Sequence, residues 1–199
     1  MTIRADIHNH SCLSPCGSLD NSPLKLVERA AKRGTHLIAL TDHNSARNTP
    51  AFEVACRRFG VTGLFGTETT TREEVHVLSL FPTVAEAIDW GEWLYPQLPD
   101  IHNRPDLFGD QIVVDTDETV LDFEPRYLIP AVQATIDEIV DETLRRGGLV
   151  IPAHVDRPTN SVFSQLGFLP DLCYSAVETT TLPPPLDTGD HTLICNSDR

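Results

Sequence analysis

The feature that most constrains this chain is a set of imidazoles and carboxylates placed at the ends of short apolar runs. Such runs are typical of buried strands, and the ends of strands can converge in space although they are far apart in sequence. Five of the eight histidines and their acidic neighbours lie in segments 6–10, 41–44, 67–68, 75–77, 153–154 and 197–198. The pattern therefore predicts one metal site built from scattered residues.

The order of apolar and polar segments predicts an α/β fold in a single domain spanning residues 1–199. Helical spacing is found from Pro23 until Gly34 and over 50–59, 84–94 and 128–146. Strands are predicted over 3–8, 36–41, 62–66, 75–81, 149–152, 176–178 and 193–195. Segments 111–114 and 119–123 predict an inserted β-hairpin, and the acidic turn between them lacks the glycine of a calcium loop. Alternating strands and helices favour a parallel, barrel-like sheet with reactive residues at the strand C-termini.

Charge restricts the partners that the chain can bind. Fifteen basic against 29 acidic residues give a net charge of -14, which makes nucleic acid and anionic membranes unlikely partners. Bound divalent cations would reverse the field locally, so small phosphorylated substrates remain open. The sequence contains no apolar run long enough to span a membrane and starts without a secretory signal, which predicts a cytoplasmic protein. Five unevenly spaced cysteines argue against a disulfide framework.

Individual ligand candidates also have plainer interpretations. His8 and His10 are two residues apart, so on a strand they point the same way and can share a cation, although a chance polar strand end is the alternative. Glu68 can bridge two cations or face solvent. His76 and His154 follow or interrupt apolar runs, where a buried structural histidine is the alternative.

Taken in order, these motifs resemble the PHP (polymerase and histidinol phosphatase) superfamily of metal-dependent phosphoesterases. The resemblance spans nearly the whole chain and depends on several motifs together: Asp6-Ile7-His8-Asn9-His10, Thr41-Asp42-His43-Asn44, Gly66-Thr67-Glu68, His76, Pro152-Ala153-His154 and Ser197-Asp198. It implies a distorted (β/α)7 TIM-like barrel with two or three divalent ions, zinc, manganese or iron, at the strand C-termini.

The resemblance also implies how the ligands are shared. One ion would be held by His8, His10, Glu68 and Asp198, and a second by Glu68, His76 and His154, with Glu68 bridging. A third site would use His43 together with Cys16 or Asp20 from the loop after the first strand. The family's final histidine would fall just past Arg199, so the sequence is expected to be a truncated stretch of a longer chain, or else to form a two-metal site.

The function implied is hydrolysis of a small phosphomonoester or phosphodiester by a metal-activated water. Asp42 would orient His43, accept a proton or cap a strand end, and Arg157 would hold a phosphate in its planar fork or lie on the surface. Two alternatives stay open. One is an amidohydrolase-type metal hydrolase, which usually needs a late carboxylated lysine, whereas the only lysines are Lys25 and Lys32. The other is a non-catalytic metal-binding module.

Overall fold

A five-stranded, curled sheet organises the protein. A computed structural model describes residues 2–18 and 20–198. In this mixed α/β fold a three-residue 3-10 helix (Tyr95–Gln97) follows α3, and the other elements are, in chain order, β1 (Ala5–Asp6), α1 (Pro23–Lys32), β2 (Leu37–His43), α2 (Thr49–Phe59), β3 (Thr62–Thr70), β4 (His76–Phe81), α3 (Val84–Leu94), α4 (Pro105–Phe108), β5 (Ile112–Val114), β6 (Val120–Phe123), α5 (Ile136–Arg145), β7 (Leu149–Pro152), α6 (Val162–Leu166), β8 (Val177–Glu178) and β9 (Leu193–Ile194).

The sheet is mixed, which corrects the expectation of a parallel one. Its strand order is β1-β2-β3-β4-β7; the pairs β1–β2 and β2–β3 are parallel, whereas β4 is antiparallel to both β3 and β7. Only five residues separate β3 from β4, and a connection that short permits antiparallel pairing only. Because β4 runs backwards, its first residue lies at the edge where the parallel strands end.

Strand alternation divides the core into two layers. Residues that face outward pack under the helices in a large cluster that includes Phe52, Phe65, Phe81 and Trp90. Residues that face inward form a small cluster of Ala39, Leu78, Leu80, Ile151, Ala153 and Ala176, with Ile7, Leu64 and Ile194 packed against it. Side chains therefore fill the inner face of the curled sheet, and any site at the ends of its strands lies on top of this layer.

The strand extents differ from the predicted ones at several places. β1 is only Ala5–Asp6, so His8 and His10 lie just beyond it, whereas β2 and β3 continue through His43 and Thr70 and include their polar motif residues. β8 and β9 form a separate parallel pair. They are linked to the sheet by single hydrogen bonds, among them Val155 N to Glu178 O at 2.9 Å and Ile7 N to Asn196 Oδ1 at 2.9 Å.

Local sequence signals explain where the helices begin. Ser22 caps α1 through a bond from Lys25 N, and Pro23 occupies its first turn. Thr135 and Glu138 form a capping box at the start of α5. The helix predicted over 128–146 is thus wrong in its first third, because Pro130 lacks a backbone donor and the chain caps a helix only at Thr135.

The predicted hairpin is present as β5 and β6, which pair antiparallel between Ile112 and Phe123. Within residues 2–18 and 20–198, none of the helices combines the length and the apolar character that crossing a membrane requires.

Candidate metal centre

The ends of neighbouring strands bring the predicted ligands to one place above the inner cluster. His43 and Glu68 are register partners at the ends of β2 and β3, and Thr70 pairs with His76 at the start of β4. Glu68 has the same strand parity as Leu64, which faces the inner cluster. His8 and His10 arrive on the extended segment after β1, and His154 follows β7 directly.

Gly66 explains how β3 can present Glu68 so close to β4. A Cβ atom at Gly66 would lie 1.8 Å from the carbonyl oxygen of Ser79 on the neighbouring strand. Any other residue would push the two strands apart directly beneath the glutamate. The glycine of the Gly66-Thr67-Glu68 motif is therefore required by backbone approach.

Glu68 is the centre of the arrangement. Its carboxylate is buried, with 1% of the residue exposed, and five imidazoles surround it. Oε1 lies 2.8 Å from His76 Nδ1, 3.0 Å from His154 Nε2 and 3.3 Å from His8 Nε2. Oε2 lies 3.2 Å from His10 Nε2 and 3.3 Å from His43 Nδ1. A carboxylate whose two oxygens face different groups of imidazoles has the placement of a bridging ligand.

A second carboxylate completes one set of possible ligands. Asp198 Oδ1 lies 3.2 Å from His8 Nε2 and 3.4 Å from His10 Nε2, and these two nitrogens are 3.2 Å apart. Ligand atoms held about 2.0–2.2 Å from a tetrahedral ion are about 3.3–3.6 Å from one another. The separations of 3.2–3.4 Å among the His8, His10 and Asp198 atoms are close to the edges of such a tetrahedron, and Glu68 approaches His8 with Oε1 and His10 with Oε2.

Orphaned imidazole nitrogens give an independent test of whether the residues fit metal ions. His43 Nδ1 and His154 Nδ1 are buried and make no hydrogen bond among the described residues, although His43 Nδ1 lies 3.3 Å from Glu68 Oε2. Buried polar atoms normally have a partner, because leaving one unsatisfied costs about 1–3 kcal/mol. His43, Glu68 and His76 also place one potential ligand atom each within 4.8 Å of one another. The donor set of imidazoles and carboxylates suits zinc, manganese and iron.

Burial and neighbouring charges shift the pKa values of the groups in this centre. Burial opposes the charged form of His8, but the charges and hydrogen bonds of Glu68 and Glu178 outweigh it and raise its pKa to about 10. Burial also opposes ionisation of Glu68, yet the surrounding histidines hold its pKa well below its ordinary value. Burial, by contrast, lowers the pKa of His43 to about 3. The carboxylates thus favour positive charge at the centre, and this is the charge that cations would supply.

Sequence reasoning missed Glu178, the residue at the end of β8. It is 2% exposed, and its Oε2 accepts from His8 Nδ1 at 2.9 Å and from the His154 backbone N at 2.9 Å. Asn196 Nδ2 donates to its Oε1 at 2.8 Å. An ionised carboxylate only accepts, so it places the proton of His8 on Nδ1 and leaves Nε2 free for an ion. Its position at the end of an apolar run was the available signal.

The structure discriminates between the two candidates from the first loop. Cys16 is exposed and places its sulfur within 4.8 Å of a ring nitrogen of His10 and one of His43. Asp20 instead has a side chain that is 90% exposed, and it lies 3.9 Å from Lys25 Nζ. Of the two, Cys16 is the residue brought to the site.

Asp42 lies beneath the site and does not contact the ring of His43 among the described hydrogen bonds and ion pairs. Its carboxylate accepts from Ser11 N and Ser11 Oγ at 2.6 Å each and from Ser14 Oγ at 2.7 Å. Ser14 Oγ in turn lies 3.1 Å from His10 Nδ1 and accepts from the His43 backbone N at 3.0 Å. Asp42 therefore positions both histidines through Ser14, and the direct contact expected with His43 is absent.

Arg157 lies at the rim of the site. Its side chain is 40% exposed, and its guanidinium pairs with the Asp198 carboxylate. The structure thus brings the predicted phosphate-binding residue to the site, but engaged with a candidate metal ligand.

Backbone conformation at the site is unusual. His154 and Asp198 have φ angles of 30° and 47°, in the left-handed region that side chains rarely adopt. Such residues concentrate at functional sites, where surrounding contacts hold them in place. For His154 that contact is the bond from its backbone N to Glu178.

Comparison with known proteins connects these features to a family. The sequence profile of the PHP domain matches residues 6–142. The chain is 35% identical over 83 residues to a 5'-3' exoribonuclease of Haemophilus influenzae, which corresponds to 40% of this chain and 29% of the exoribonuclease. It is 39% identical over 66 residues to an error-prone DNA polymerase of Nocardia farcinica, covering 32% of this chain and 6% of the polymerase. The chain therefore spans less than a third of either relative.

Solved structures share the fold at lower sequence identity. Endonuclease Q, crystallised with a 27-mer duplex substrate, superposes with a TM-score of 0.60 and 19% identity, covering 89% of this chain and 42% of the endonuclease. A protein from Bifidobacterium adolescentis assigned as a metal-dependent phosphoesterase gives a TM-score of 0.54 and 22% identity, covering 79% of this chain and 69% of that one. At these identities the likeness concerns the fold alone.

Proposed function

The chain belongs to the PHP domain family, and from this premise we propose that it is a metal-dependent hydrolase that cleaves phosphoesters, either small phosphomonoesters or phosphodiesters. The observation that carries the proposal is the buried carboxylate of Glu68 within 3.3 Å of five imidazoles. So many titratable groups in one place are unusual for a purely structural core, because each buried group must be desolvated and paired.

The residues would divide into ligand sets as the family resemblance implies. His8, His10, Glu68 and Asp198 would hold one ion, and Glu68, His76 and His154 a second. His43 with Cys16 would contribute to a third. When bound, two such cations lower the pKa of a shared water and neutralise charge on the phosphoryl oxygens.

The chain's own residues prepare this chemistry. Glu178 orients His8 and fixes its tautomer, and Asp42 orients His10 through Ser14. The nearly complete burial of Glu68 and His8 excludes bulk water from the ligand side, which strengthens every charge interaction there. Arg157, on the exposed rim, would turn its free donors to a substrate phosphate while it stays paired with Asp198.

Two substrate classes remain in contention, small phosphoesters and nucleic acid. The net charge of -14 disfavours a long polynucleotide. The relatives nevertheless include an exoribonuclease and an endonuclease with a duplex substrate, so charge alone does not exclude nucleic acid.

One observation favours substrates that carry a nucleobase. Phe108 and Tyr127 stack with ring centroids 4.3 Å apart, and Phe108 is 40% exposed. Tyr127 precedes Leu128, whose carbonyl accepts from the side chain of Asn44, the residue after His43. Exposed aromatic rings stack on bases of any sequence, each worth about 1–3 kcal/mol. We therefore expect Phe108→Ala to weaken the binding of a nucleotidyl ester but not the binding of a simple aryl ester. Phe59→Ala, at the end of α2, should change the binding of neither.

The positions of the two lysines give the amidohydrolase alternative no support. Lys25 and Lys32 both lie on α1, with side chains 44% and 70% exposed. Neither can supply a carboxylated lysine between two ions at the strand ends. An amidohydrolase from Chromobacterium violaceum shares the fold at a TM-score of 0.53 and 19% identity, which concerns architecture only.

The test combines metal content with turnover. Protein loaded with zinc, manganese or iron(II) would be incubated with p-nitrophenyl phosphate, bis(p-nitrophenyl) phosphate and a p-nitroanilide. Phosphoester turnover that chelation abolishes and metal restores is expected. Metal binding without turnover would favour the non-catalytic module, and anilide cleavage would favour the amidohydrolase. The same assay on short 5'-phosphorylated RNA and DNA separates nucleic acid from small substrates.

A further inference from the structure

We propose that Cys16 is a thiolate ligand that makes the third position, which it shares with His43, selective for thiophilic cations, zinc or cadmium, over manganese and magnesium. The inference deepens the proposed function and rests on it for the neighbouring ions. It concerns which metal this chain accepts at that position.

The geometry places the sulfur of Cys16 next to two imidazoles, that of His43 and that of His10, which the first ion would use. One ligand atom from each of His10, Cys16 and His43 lies within 4.8 Å of the other two. His43 is 5% exposed, and its Nδ1 makes no hydrogen bond among the described residues, although it lies 3.3 Å from Glu68 Oε2. A sulfur beside an unsatisfied, buried imidazole is a donor pair that zinc binds well.

The loop that carries Cys16 is built to hold it in place. Gly17 N donates to Ser14 O at 2.8 Å, and a Cβ atom at Gly17 would lie 2.1 Å from the carbonyl oxygen of Ser11. Ser11 and Ser14 are themselves fixed by Asp42. The turn after β1 is therefore anchored on both sides of the cysteine, and its sulfur is directed to the site by backbone packing.

Ligand softness gives the selectivity. Thiolates favour zinc and other soft or borderline ions, whereas manganese and magnesium favour carboxylate and water oxygens. Asp20, the oxygen donor of the same loop, lies away from the site with a side chain 90% exposed. Among the candidates of this loop, the sulfur is thus what the third position offers.

The experiment uses cadmium and cobalt as spectroscopic probes of a metal–sulfur bond. Metal-free, reduced protein would be titrated with Cd²⁺ and with Co²⁺ while the thiolate-to-metal charge-transfer absorption is recorded. The band is expected in the unchanged protein and in Cys173→Ser, which removes another exposed cysteine. It should be lost in Cys16→Ser. Cys12 is buried and its pKa is raised to about 11, chiefly by burial, so it does not mimic the signal.

Selectivity is tested by exchanging the donor. Cys16→Asp should weaken the binding of the last-bound zinc ion by at least about 10-fold, the smallest loss typical when a residue that supports a metal ligand is changed. It should strengthen the binding of manganese at the same position. A band that persists in Cys16→Ser, or unchanged zinc and manganese affinities in Cys16→Asp, would overturn the proposal.

Failure of the proposed function gives a different result. Phosphoester turnover is measured on the same samples with zinc or manganese. Turnover in the unchanged protein without any metal–sulfur band refutes only the role of Cys16. A clear band without turnover of any phosphoester supports the thiolate ligand and refutes the hydrolase.

Discussion

Glu178→Gln is the sharpest test of the structure, because this carboxylate touches the site only through its neighbours. It receives three donors: the His8 ring and the His154 backbone on Oε2, and the Asn196 amide on Oε1. The substitution keeps the shape and removes the charge. One acceptor oxygen also becomes a donating NH₂ group.

The structure sets the size of the effect. If the new amide oxygen takes the place of Oε2, it still accepts from His8 and His154, but its NH₂ group then opposes the Asn196 donor. The bond from His8 Nδ1 also loses its charged acceptor, and hydrogen bonds to charged groups contribute about 1.5–3 kcal/mol. At about 1.4 kcal/mol per tenfold, this agrees with the 10–100-fold loss in metal affinity that such outer residues typically cause.

The assay is a competition titration against a chromophoric chelator. We expect the dissociation constant for zinc to rise by about 10- to 100-fold in Glu178→Gln and turnover to recover largely at saturating metal. Glu28→Gln, which removes only a surface pair with Lys32, is the matched control. If Glu178→Gln binds zinc as tightly as Glu28→Gln does, the orienting role assigned to Glu178 is wrong.

Three further predictions follow from the same geometry. His8→Ala and Glu68→Gln should each abolish phosphoester turnover and leave the circular dichroism of a folded protein; turnover in either variant would contradict the ligand assignment. Because the pKa of His8 is raised to about 10 from 6.5, its contribution to stability is complete below pH 6.5 and is lost as the pH rises towards 10. The free energy of unfolding of the metal-free protein should then fall by up to about 1.4 kcal/mol per pH unit across that window. Urea unfolding with chelator at pH 6, 8 and 10 measures this, and a free energy that does not change with pH would show that the histidine is neutral. Arg157→Ala should raise KM for phosphoesters more than Arg157→Lys does, whereas equal KM values for both variants would place the guanidinium outside the substrate site.

The ligand set could be predicted from sequence because each member carries a local signal. His8 and His10 have strand spacing, and Glu68 and His154 end apolar runs. What could not be predicted was how far the strands continue. β2 and β3 run on through Thr41-Asp42-His43 and Thr67-Glu68-Thr69-Thr70, because backbone pairing does not require apolar side chains. A prediction from hydropathy ends a strand where its apolar stretch ends, whereas these strands continue into a polar site.

Glu178 was missed for a different reason. Its signal is a two-residue strand, and its partner His8 lies 170 residues away. The apolar run that it ends is too short to distinguish such a glutamate from a solvated one. Asp42 is adjacent to His43 in sequence but bonds to Ser11 and Ser14. Asp42 therefore reaches His43 only through Ser14, since neighbouring residues on a strand point to opposite faces.

The reversed direction of β4 could have been deduced, and it matters for the site. The five residues between β3 and β4 are too few for a crossover. An antiparallel β4 presents its first residue, His76, at the edge where its parallel neighbours present their last residues. Its backbone N also donates to Asn160 O at 2.9 Å, in the loop that follows His154 and Arg157.

This pairing makes the centre sensitive to register. A shift of one residue between β3 and β4 would turn His76 to the helix-covered face and direct Val77 at Glu68. The fixed contact that prevents such a slip is the close approach at Gly66, which lies opposite Leu80 in the ladder. A side chain at that position would separate the strands, so Gly66→Ala should disrupt metal binding although it alters no ligand. The metal centre is therefore specified by the packing of β3 against β4 as much as by the residues that would hold the ions.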